Sequence, residues 1–161
     1  AHSMGNRALV EVLEKMHLTQ SDRRFKFGQI ILAAPDVDAS VFRNRYVPVL
    51  LEMGRRVTLY ASSNDRALKA SMEIHGYTRA GLSGEHLIAM TGLETIDASP
   101  IDTSLIGHSY YGDNPLMIKD LQALIGEDAP AKSRQWLNEV IRQPNPGHWV
   151  FKDSPLRELL P

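Results

Sequence analysis

The chain has 161 residues, enough for one ordinary domain and too few for two comfortable ones. Apolar residues make up 43% and charged residues 23%, which excludes a disordered, collagen-like or low-complexity chain. Lys plus Arg number 18 and Asp plus Glu 19, a formal charge of −1 that leaves no footprint for nucleic acid, and the absence of cysteine removes disulfides, thiolate zinc sites and cysteine nucleophiles.

From Asn6 to about Leu18, Leu9, Val12, Leu13 and Met16 recur at helical spacing and predict one apolar stripe. Phe27 to Ala34 is a nearly uninterrupted apolar run stopped by Pro35-Asp36, the pattern of a strand buried on both faces. Asp38 is placed to cap a helix from Ala39 to Met53, with Gly54 at its end and Pro48 predicting a break or kink inside. Arg56 to Ser62 reads as a second strand. Ser63 or Asn64 is placed to cap a helix from Arg66 to His75, which Gly76 ends. Tyr77 to Gly92 reads as loop, and Glu94 to Ser99 as a third strand stopped by Pro100. After a loop from Ile101 to Asn114, helices are predicted over Pro115–Ile125 and Ala131–Arg142, with an irregular tail from 144 to 161. No apolar run reaches the ~20 residues of a membrane span. Strands alternating with crossover-length helices predict a single α/β domain on a mostly parallel sheet, three strands of which are visible.

The chain opens Ala1-His2-Ser3-Met4-Gly5-Asn6 directly before a helix. Small-x-Ser-x-Gly in that place is the pattern of a nucleophile elbow, a tight turn that lifts the serine hydroxyl above a sheet. It also aims the first helical amides, that of Met4 foremost, at a developing oxyanion. Chance produces such a match in roughly one chain in ten of this length, and a helix cap is the plainer role for Ser3. The order Ser, acid, His adds weight. Asp65 leaves the second strand, and His108 lies in the loop after the third. Asp36, after the first strand, is the alternative acid, although capping and turn formation explain it as well. His17, His75 and His86 lack ligand spacing, so no metal site is expected, and a serine triad of this kind requires no cofactor. Trp136 and Trp149 read as packing residues.

Four blocks make a resemblance specific: His2–Arg7, Leu32–Asp38, Leu59–Leu68 and Asp102–Tyr110. Together, over residues 1 to about 125, they resemble a bacterial α/β-hydrolase family of unknown function with esterase- and lipase-like features. The resemblance implies an eight-stranded core sheet with the elbow after its fifth strand. This chain would then be the carboxyl-terminal portion, holding the elbow and the last three strands, and the second oxyanion donor would lie elsewhere. It implies a serine hydrolase acting on a small-molecule ester through Ser3, Asp65 and His108, with Met4 N–H as oxyanion donor. The alternative is an incomplete, non-catalytic binding or assembly module. An apolar first strand without charge or proline predicts an open sheet edge that pairs with a missing amino-terminal half or a second copy.

Overall fold

The computed structural model describes residues 1–19, 26–101, 110–142 and 145–152. Three parallel strands lie side by side: β1 (Phe27–Ala33), β2 (Gly54–Ala61) and β3 (Leu93–Asp97). From Val57 to Ala61, β2 is buried on both faces, as an apolar parallel strand requires. Strand β1 instead buries Ile30 and Leu32 on one face and leaves Gln29 and Ile31 on the other half-buried. On one face, Ile30, Leu32, Val57 and Leu59 pack against Val10 and Leu13 of α1 (Gly5–Thr19). Phe42, Val47 and Leu50 complete that layer. On the other face, Tyr60 and Ile96 meet Met117 and Leu124 of a later helix.

The stripe on α1 is rotated from the one that spacing predicts. Val12 is 54% exposed, and the buried line runs through Asn6, Val10 and Leu13. Asp38 caps α2 (Ala39–Val41) as expected, its Oδ1 accepting from the amides of Ser40 and Val41 at 2.8 and 2.9 Å. Pro48 does not break the chain of helix that follows. The backbone widens to a π-helical stretch over Phe42–Tyr46, and Val47 N–H donates to the Phe42 carbonyl before α3 (Val47–Met53). The wider turn accommodates the amide that proline lacks.

Helix α4 (Arg66–His75) is capped by Asp65, not by Ser63 or Asn64, and ends at Gly76 in the left-handed region, φ +76°. Beyond β3 come α5 (Tyr110–Asp113) and α6 (Pro115–Gly126), the latter capped by Asn114.

Two expectations for the carboxyl-terminal part are overturned. Residues 131–142 are not a helix: a 3₁₀ turn at Ala131–Ser133 leads into β4 (Leu137–Arg142). The stretch expected to be an irregular tail holds β5 (Asn145–Phe151). Strands β4 and β5 form an antiparallel pair, and β5 continues the sheet parallel to β3, giving the order β1-β2-β3-β5-β4. The pairing wins because it buries Leu137 opposite Phe151 over the Tyr60–Ile96 cluster, which an isolated helix could not do.

Under α6 lies a buried polar hub. The Asp120 carboxylate accepts from Tyr60 Oη at 2.5 Å, Trp136 Nε1 at 2.5 Å and Arg134 Nη1 at 2.7 Å. Arg134 also pairs with Glu94 at 2.9 Å. Burial raises the Asp120 carboxyl above its ordinary pKa against the opposing pull of Arg134. Burial, and then the neighbouring Asp120 charge, push the Tyr60 phenol well up.

Candidate functional site

The first residues run beside the carboxyl-terminal half of β1. The Ala1 nitrogen donates to the Ile31 carbonyl at 2.7 Å, and Ala33 N–H donates to the Ala1 carbonyl at 2.9 Å. His2 bridges Ala33 in the parallel sense. Two residues of strand-like pairing thus precede Ser3, where the sequence suggested only a turn.

Ser3 N–H donates to the Ala33 carbonyl at 3.0 Å, and its backbone then turns with φ +52°. Few non-glycine residues adopt that conformation, and those that do cluster at functional sites. Gly5 N–H closes the turn on the His2 carbonyl at 3.0 Å, and α1 begins. Gly5 need not be small for room here: among the described residues, an added Cβ would meet nothing within 4 Å. The Met4 amide is the first N–H after Ser3 that no carbonyl of the described residues takes. Ser3 therefore sits at the carboxyl end of the parallel strands, at the amino end of a fifteen-residue helix.

Asp65 leaves β2 at the same end and is fully buried. One carboxylate oxygen, Oδ1, accepts from Leu68 N–H at 2.9 Å as the α4 cap. Its loop is tied to the loop after β3. Ser63 N–H donates to Ser99 Oγ at 2.8 Å, and Asn64 Nδ2 donates to the Ser99 carbonyl at 2.9 Å. Ser99 is in turn held by Asp97 Oδ1, which accepts from its amide at 2.9 Å. Asp97, the last residue of β3, spends that oxygen on this local turn.

Asp36 is the alternative acid, and its carboxylate is occupied on both oxygens. Oδ2 accepts from Arg7 Nη2 at 2.8 Å, while Oδ1 accepts from Ser71 Oγ at 2.7 Å and lies 3.2 Å from Arg79 Nε. It ties α1, α4 and the loop after β1 together. His108 and Asp102 lie outside the described residues. Ser3, Met4, Asp36 and Asp65 are brought to one end of the sheet. Sequence reasoning passed over Asn6, Arg7 and Arg79, all within or beside this cluster. The signal for the first two was their place in the opening turn of the helix directly after Ser3.

A serine in a strained turn at the carboxyl end of a parallel sheet, with a buried carboxylate two strands away, is an arrangement of open α/β folds. The chain matches a family model described as alpha/beta hydrolase of unknown function (DUF900) over residues 1–127. The chain belongs to this family. The α/β-hydrolase match covers β1, β2, β3 and all of α6 and stops before β4, so the β4–β5 pair lies beyond it. Neither a curated protein nor a solved structure was found to match the chain.

Proposed function

We propose that this α/β hydrolase cleaves carboxylic esters of small molecules through Ser3, Asp65 and His108. The observation that carries the reading is the Ser3 turn, with φ +52° between strand-like pairing and a helix amino terminus. This supports reading the turn as a nucleophile elbow. Ser3 Oγ attacks the ester carbonyl carbon while His108 accepts its proton. The oxyanion is stabilised by Met4 N–H and the amino end of α1. The alkoxy C–O bond then breaks, and His108 returns the proton to the departing alcohol. Water repeats the sequence on the acyl-serine and releases the acid. Asp65 orients His108 and stabilises its protonated form. Asp65 suits this role better than Asp36, because two arginines already neutralise the Asp36 carboxylate.

The test is turnover of a chromogenic short-chain ester together with fluorophosphonate labelling. Ser3→Ala and His108→Ala are each expected to remove nearly all turnover, since members of such a triad act as a unit. Labelling is expected at Ser3. A folded protein that takes no label and turns over no ester favours a non-catalytic module, and unchanged turnover in either variant overturns the proposed triad.

A further inference from the structure

Asn6 lies in the first turn of α1 and is fully buried. Its Nδ2 donates to two carbonyls at once, Ser3 O at 3.0 Å and Ala33 O at 3.0 Å. The orientation of the amide is fixed, because the reverse would aim Oδ1 at two carbonyl oxygens. In this orientation Oδ1 is buried with no partner among the described residues. A buried acceptor left without a partner is unfavourable. The two donors must therefore serve a purpose that a smaller or apolar side chain could not.

Both acceptors belong to the backbone that fixes Ser3. Ala33 O takes the Asn6 amide and Ser3 N–H together, while Ser3 O takes the Asn6 amide and Asn6 N–H at 3.0 Å. One side chain thus grips the residue at φ +52° on its carbonyl, and grips the β1 carbonyl that holds its N–H. A serine in that region relaxes toward commoner backbone conformations unless its surroundings over-determine it.

We propose that Asn6 is a positioning residue that locks the Ser3 backbone and thereby sets the direction of Ser3 Oγ. This rests on the reading of Ser3 as the nucleophile. Aspartate offers oxygens where donors are needed, and alanine offers nothing.

The experiment measures the saturating rate of fluorophosphonate inactivation and the concentration that half-saturates it. Wild type, Asn6→Ala and Asn6→Asp are compared, with thermal unfolding of each. Asn6→Asp keeps the volume and places a carboxylate where a helix amino terminus favours one. The saturating rate is expected to fall on the order of a hundredfold in both variants, with the half-saturating concentration little changed. A rate within about threefold of wild type in either folded variant overturns the proposal; a hundredfold is about 2.7 kcal/mol and could not hide there. Loss of folding in both variants also overturns it, because the amide would then serve the fold and not Ser3. Absence of label on wild-type Ser3 fails differently, by removing the nucleophile itself.

Discussion

Gly81 marks the closest approach in the site's scaffold, and Gly81→Ala tests it. A Cβ there would lie 2.6 Å from the Ala34 carbonyl carbon, 2.7 Å from Ala34 Cα and 2.6 Å from Leu68 Cδ1. Ordinary contact begins near 3.4 Å, so about 0.8 Å must be found, and two of the three atoms are backbone. Ala34 cannot retreat easily. It is buried, its φ is +44°, and its N–H donates to the Tyr60 carbonyl at 3.0 Å. Gly81 is itself pinned, with its N–H on Pro35 O at 3.0 Å and its carbonyl accepting from Ser62 N–H at 2.9 Å. Overpacking costs ~1–3 kcal/mol, and the absence of slack puts this case at the upper end. For a chain of this size that is a fall in Tm of roughly 6–12 °C. Calorimetry on Gly81→Ala, beside Gly5→Ala as a substitution with open space, measures it. Gly5→Ala is expected to hold or raise Tm, since alanine suits a helix better by ~0.5–1 kcal/mol. A Gly81→Ala protein that melts within 1–2 °C (about 0.5 kcal/mol) of wild type refutes the close approach.

Other outcomes follow from the carboxylates. Asp65→Asn keeps an equally good helix cap, so stability is expected to change by less than about 0.5 kcal/mol, while ester turnover falls on the order of 10⁴-fold. Asp36→Asn is expected to do the reverse, costing ~3 kcal/mol in urea unfolding by stripping a mostly buried Arg79 of its counter-charge. Arg134→Met leaves Asp120 buried with no cation and is expected to cost ~3–5 kcal/mol by the same assay. The folded-state pKa of Asp120 is raised. Its share of stability is therefore greatest below the ordinary carboxylate pKa and declines as pH rises toward the folded value. Urea titrations across that window are expected to show a shallower decline for Asp120→Asn, and identical slopes would count against the assignment.

The parallel half of the fold was legible because its signals are local and agree with one another. Apolar runs mark β1 and β2, Asp38 marks a cap, and Gly76 marks a helix end. The β4–β5 pair was not legible. Trp136, Leu137, Val140 and Ile141 fit helical spacing, yet the burial of Leu137 depends on Phe151, 14 residues away. Ile141, which a helix would have buried, is 71% exposed. At the site, the Ser3 turn was readable from small-x-Ser-x-Gly. The role of Asn6 was not, because one of its two acceptors, Ala33, is 27 residues away in the chain and comes within reach only when β1 lies beside Ser3. Asp36 and Asp65 look alike in sequence, and what separates them in the fold is that Arg7 and Arg79 pair with Asp36 while Asp65 caps α4.

The reach of Arg134 crosses the end of the family match. Similarity to the family stops at residue 127, yet Arg134 satisfies Asp120 and Glu94, which lie within the matched region. Trp136 and Phe151 likewise close the cluster around Tyr60 and Ile96. A chain cut at the similarity boundary would leave Glu94 its partner Arg56 but would keep the buried Asp120 carboxylate while discarding the guanidinium that faces it. The end of the family match and the last residue needed to balance the buried charge of Asp120 therefore fall at different places in the chain.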